Sequence, residues 1–201
     1  MMPFSPHCNG FTRIDLLATI ALAILLLSTT MAVTSRESSQ RAVCHNNLRQ
    51  LGVAALQFAE ENNDMLPPRR ASPQTWIQQL KPYYKDEKVI QCPTGRDEIT
   101  PHSYLINGFN DYFRTTLSAD EFNNIYMSWL WPKGMRIEAV PEPSQTILFG
   151  EKRIQSFHVH FDFAQDLGND FDAVDHGRHY KTDSPTNGYS NTPWLTAAYA
   201  C

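Results

Sequence analysis

The sequence predicts an α+β protein: one long N-terminal helix, membrane-spanning in its first half, packed through its second half on a small antiparallel β-sheet head. Three observations carry this. Leu16 to Val33 (LLATIALAILLLSTTMAV) holds no charged residue. Leu48, Leu51, Ala55, Phe58 and Ala59 recur at steps of three and four, one face of an amphipathic helix. Beyond Pro67 the chain turns polar and aromatic-rich, with several short strand candidates and few helical stretches.

The N-terminal run is apolar on every face and long enough to span a bilayer, for which a helix needs about 17–25 residues. It does not fit a secretory signal, which has a basic start, a shorter apolar core and a small-residue cleavage site after it. The first ten residues, MMPFSPHCNG, contain no Lys or Arg. No Pro falls between Pro6 and Pro67, so one helix from about Thr12 to Glu61 is the economical expectation, on the order of 75 Å long. Asn62-Asn63-Asp64 and Pro67-Pro68 then stop it.

In the head, Ser72-Pro73 reads as an N-cap with Pro at the first helical position, followed by Trp76, Leu80 and Tyr83 at helical spacing. A second short helix is expected to start at Ser118-Ala119-Asp120-Glu121. Strands are expected at about 102–106, 124–130, 145–151 and 154–161. The expected division is 1–10 ahead of the helix, 11–34 membrane half of the helix, 35–62 amphipathic half, and 63–201 head.

Composition narrows the function classes. Seventeen basic residues stand against 21 acidic ones, a net charge of -4, with no Lys/Arg cluster, which argues against nucleic acid as a partner. The 4 cysteines, at 8, 44, 92 and 201, form no CxxC pair of the kind that marks zinc ribbons and thioredoxin-like sites. Nucleotide-binding Gly motifs and a Gly-x-Ser-x-Gly elbow are missing from the sequence. Neither an enzymatic activity nor a cofactor is implied.

The chemically suggestive stretch is Phe157-His158-Val159-His160-Phe161-Asp162, followed by Asp166, Asp170, Asp172, Asp175, His176 and His179. On a strand His158, His160 and Asp162 would share a face, a weak candidate set for zinc or manganese. The Asp-rich stretch lacks the spacing of a calcium-binding loop. The competing reading is a strand with one solvated polar face and then an acidic surface loop.

Gly10-Phe11-Thr12-Arg13-Ile14-Asp15-Leu16-Leu17, immediately before the apolar run, resembles the prepilin-type cleavage and methylation motif of type IV pilins and pseudopilins. The resemblance implies cleavage between Gly10 and Phe11 by a prepilin peptidase, methylation of the new N-terminal Phe11, and loss of the leader with Cys8. Asp15 would be the fifth mature residue. A carboxylate in a membrane is expensive and is kept for a partner; in such filaments the fifth-position acid can neutralise a neighbouring subunit's N-terminal ammonium. The family usually has Glu there, and Asp reaches one methylene less far. The leader also lacks the usual basic residue, a role Arg13 can take.

Cys44-His45-Asn46-Asn47-Leu48-Arg49-Gln50-Leu51-Gly52, then Gln91-Cys92-Pro93, then Ser103-Tyr104-Leu105-Ile106-Asn107-Gly108, resemble in order the motifs of a planctomycete- and verrucomicrobium-type subgroup of these proteins. Pro143-Ser144 followed by Gln145–Glu151 resembles its buried strand with a terminal acid. The resemblance implies a Cys44–Cys92 disulfide tying helix to head in an oxidising compartment; two separate buried thiols are the alternative. Asp175–His179 and Ser190-Asn191 match elements that in the subgroup lead to Ala-Asp-Gly, whereas here Trp194-Leu195 runs into TAAYAC. A shifted reading frame or a truncation is the hypothesis for this departure, and DNA resequencing that confirms the present frame would remove the first version.

What the resemblance implies, then, is a structural subunit in the cytoplasmic (inner) membrane, single-pass, with its head on the extracytoplasmic side. Its partners would be the membrane, the prepilin peptidase, and other copies or other pilin-like subunits, in a type II secretion or pilus-like assembly. Two alternatives stay open: a tethered binding protein that never polymerises, and a tethered metal-dependent enzyme using His158, His160 and Asp162.

Overall fold

The computed structural model describes residues 13–95, 99–162, 174–175 and 197–199, with backbone alone at 28–34 and 197–199. The chain divides into two compact units, Met1–Ser39 and Gln40–Cys201. Helix α1, Arg13–Glu61, enters both.

In the first unit α1 presents its apolar side chains outward, from 47% exposed at Ile20 to 77% at Ile14. Such a helix has no core of its own to bury that surface in. Among the described residues no helix is long and apolar enough to cross a membrane; the side chains at 28–34, inside the uncharged run, lie outside that description.

In the second unit α1 becomes the wall of a core. Leu48, Leu51, Ala54, Ala55 and Ala59 are buried, with Phe58 packed at the edge. The helix stops because Asn63 and Asp64 take left-handed φ values of 57° and 58°, which Asn and Asp tolerate, and their neighbourhood caps it. The Asn62 side chain donates to the Phe58 carbonyl at 2.7 Å, and the Asp64 amide to Ala59 at 2.9 Å.

Helix α2, Trp76–Tyr84, begins later than the Ser72-Pro73 expectation: Thr75 holds the N-cap position and the Ser72–Pro73 peptide is cis. Thr75 lies three residues before Gln78, and its hydroxyl meets the Gln78 side chain at 2.7 Å, the residue pair of a capping box. Trp76, Ile77, Leu80 and Tyr84 face the core. Helix α3 covers Asn110–Thr116.

The sheet has four strands in the order β3-β1-β2-β4: β1 Tyr104–Asn107, β2 Ile147–Glu151, β3 His160–Phe161 and β4 Ala197–Tyr199. β1 pairs antiparallel with β2, and β2 with β4, but β3 runs parallel to β1. The sheet is therefore mixed rather than antiparallel. The expected strand over 154–161 shrinks to two residues because its first half is a turn. The Ser156 amide bonds back to the Arg153 carbonyl, and the buried Lys152 ammonium clamps the Ser156 carbonyl at 2.7 Å and the Thr100 hydroxyl at 2.5 Å. β3 then crosses to the far side of β1 instead of pairing with β2.

The expected strand over 124–130 is also absent; Glu121–Tyr126 forms a π-helical turn. Ser118 and Glu121 cap it reciprocally, the Glu121 carboxylate accepting from the Ser118 hydroxyl at 2.7 Å and amide at 3.0 Å. Phe122 and Tyr126 stack at 5.3 Å, a side-chain spacing that a helix provides and a strand does not.

Candidate functional site

Three groups of residues bear on function. Of the first, Gly10 and Phe11 lie outside the described residues, while Asp15 sits in the first turn of α1, where an acid is favoured by the helix dipole.

The second is the staple between α1 and the head. Cys44 and Cys92 are joined by a disulfide spanning 48 residues of sequence, both fully buried. The Thr94 hydroxyl lies 2.9 Å from Cys92 Sγ and 3.9 Å from Cys44 Sγ. The carboxylate of Glu151, at the end of β2 and 2% exposed, comes within 4.0 Å of Cys92 Sγ. Around this point the motif residues interlock. The Asn47 side chain donates to the Gln91 carbonyl at 2.9 Å and to the Tyr104 hydroxyl at 3.3 Å, and that hydroxyl reaches the Cys44 carbonyl at 3.4 Å. The Ser103 hydroxyl donates to the Gly95 carbonyl at 2.9 Å. Asn107 closes β1, its carboxamide accepting from the Phe109 amide at 2.8 Å and donating to the Ile147 carbonyl at 2.9 Å.

The third group is a polar cluster inside the head. Arg69 and Asp162 form an ion pair at 3.2 Å with side chains only 7% and 4% exposed. The Arg69 guanidinium lies 4.1 Å from the Trp129 ring centroid and 5.4 Å from that of Tyr126, a desolvated cation–π arrangement. Trp129 itself has φ 65°, an uncommon conformation for a bulky residue, and meets His160 edge-on at 5.3 Å. Burial, the Arg69 charge and His102 together push His160 down to about 3, so it is neutral at ordinary pH. Neither ring nitrogen of His160 has a hydrogen-bond partner among the described residues. Burial and the Asp162 carboxylate raise Tyr126 well above the usual phenol range. It therefore stays protonated and donates to the Gly108 carbonyl, with Asn110 Oδ1 at 2.6 Å.

No protein-family model, curated protein or solved structure matches this chain.

The sequence had set His158, His160 and Asp162 on one strand face. The structure separates them: His158 is exposed and precedes β3, whereas His160 and Asp162 are buried. The backbone carbonyl of His158 lies 3.1 Å from His102 Nε2. Asp162 has its charge met by Arg69. The trio is not gathered as a metal site; among the described residues the ligand-type side chains that do converge are Cys44, Cys92 and Glu151, within 4.8 Å of one another. Sequence reasoning missed Arg69, Tyr126 and Trp129. Arg69-Arg70 after Pro67-Pro68 reads as a solvated loop, and nothing local announces a partner at position 162.

Proposed function

We propose that this chain is a pilin-like structural subunit of the pseudopilin class, processed at Gly10–Phe11 and held in the cytoplasmic membrane by the first half of α1. The carrying observation is Gly10-Phe11 with Asp15 at the fifth mature position, set directly before the uncharged run from Leu16 to Val33. A helix unbroken from Arg13 to Glu61 supports the reading, as does the exposure of the apolar side chains between Ile14 and Leu27. That surface suits lipid or the equivalent helices of neighbouring subunits. A buried disulfide fits a head that matures outside the cytoplasm.

Intact-mass and N-terminal analysis of the chain from membranes of a host with a prepilin peptidase tests this. The expected product starts at N-methylated Phe11. A chain retaining Met1, or one cut beyond Val33, overturns the assignment. A processed chain that does not associate, and on which Asp15→Ala has no effect, would instead be a tethered subunit that does not polymerise.

A further inference from the structure

The staple combines groups that a disulfide alone does not need. Two sulfurs and a carboxylate, from α1, the segment after the Glu87–Ile90 turn, and the end of β2, converge within 4.8 Å in a site from which solvent is excluded. The Cys44 and Cys92 Cα atoms are 5.1 Å apart. Opening the sulfurs to the separation of two ligands on one ion, roughly 3.7 Å for tetrahedral bonds of about 2.3 Å, needs side-chain rotation more than backbone movement. The Thr94 hydroxyl is already placed to donate to the Cys92 sulfur, which steadies a thiolate. Two soft thiolates with one hard carboxylate are a donor set for zinc rather than for calcium or magnesium.

We propose that the dithiol form of the head holds one zinc ion through Cys44, Cys92 and Glu151, so that the same three residues tie α1 to the head by a metal when reduced and by a covalent bond when oxidised. This goes beyond the proposed function and does not depend on it. In the test reduction, a water-soluble trialkylphosphine gives its electron pair to the disulfide and takes oxygen from one water to become the phosphine oxide. The two sulfurs leave as thiols carrying the two protons of that water. Zinc then displaces both protons and binds the two thiolates and the Glu151 carboxylate.

The experiment uses the full chain in detergent with Cys8→Ser and Cys201→Ser, so that no other thiol competes. Zinc is titrated against a chromophoric chelator before and after phosphine reduction. The expected result is one zinc per reduced chain and none at this site in the oxidised chain. Glu151→Gln should weaken binding roughly 100-fold or more, since even outer-shell partners are worth roughly 10–100-fold. Cobalt(II) supplies a readout without variants: the reduced parent chain should show a thiolate-to-cobalt charge-transfer band with the intense visible bands of tetrahedral coordination. A reduced chain that takes up neither ion, equal binding by the oxidised chain, or a folded Glu151→Gln variant of unchanged affinity each overturns the proposal.

Discussion

Arg69 is buried, charged and flanked by two aromatic rings, and its partner Asp162 is 93 positions away in sequence. A pair of this kind need not add net stability, but removing one member strands a charge in the core. Asp162→Ala is therefore expected to destabilise the head by about 3–5 kcal/mol, while the combined Arg69→Met and Asp162→Leu change restores most of it; urea midpoints of the three chains decide. His160 adds an acid sensitivity of definite sign. Its folded-state value of about 3 lies below the ordinary 6.5, so between those values the unfolded chain binds a proton that the folded head refuses. Stability is complete above pH 6.5 and falls as pH drops, by at most about 1.4 kcal/mol per pH unit. His160→Gln should flatten the midpoint change between pH 6.5 and 5, a range above most carboxylate titration; an unaltered slope would exclude His160 as the source. Of this cluster the sequence singled out His160 and Asp162, but as metal-ligand candidates and without Arg69, Tyr126 or Trp129. Burial of Arg69 comes from tertiary packing, and the alternation of His158, His160 and Asp162 suited a strand that is spent instead on the Arg153–Ser156 turn.

At the scale of elements, what survived from sequence to structure is what local physics controls. The α1 periodicity from Leu48 to Ala59 needs only the helical repeat, and the Asn62–Asp64 stop needs only residues that accept left-handed backbone. Strand identity was harder, because short apolar runs do not distinguish a strand from a helical turn. Residues 124–130 are apolar and aromatic enough to read as a strand, yet the helix expected to start at Ser118 runs on through Tyr126, decided by the Ser118–Glu121 cap and the Phe122–Tyr126 stack. The parallel β3 likewise depends on Lys152, whose burial no periodicity marks. The segment after α1 is fixed by close backbone approach: the Leu66 amide donates to the Met135 carbonyl at 2.8 Å, and Ile137 to Asp64 at 2.9 Å. At Gly134 an added Cβ would lie 1.6 Å from the Leu66 carbonyl oxygen, a backbone atom that cannot swing aside. Gly134→Ala should cost about 3 kcal/mol, at the upper end of the usual overpacking penalties, and speed amide exchange at Leu66 and Ile137. Exchange as slow as in the parent would mean that the two segments slide to make room.

For the whole molecule the division after Ser39 separates two kinds of energy. Residues 40–61 share a core with the head and are tied to it by Cys44–Cys92, whose closed segment of 48 residues is worth about 4 kcal/mol on the chain-entropy account. Asp15 lies in the other unit, on the helix segment whose large apolar side chains are exposed. Changes at sites that share no neighbours add independently, so association and head stability should respond to different substitutions. On the proposed pilin-like reading, Asp15→Ala is expected to leave the urea midpoint of the head within about 0.5 kcal/mol of the parent and still form the disulfide, yet to abolish cross-linking between copies in membranes. Cys92→Ser should do the reverse, lowering the midpoint by about 2–4 kcal/mol while leaving the residual folded chain able to cross-link. If Asp15→Ala lowered head stability, the acid would be serving the fold of its own chain. If it altered neither quantity, Asp15 would not be the contact between copies, and the proposed pilin-like assembly would lose the residue on which its subunit contact depends.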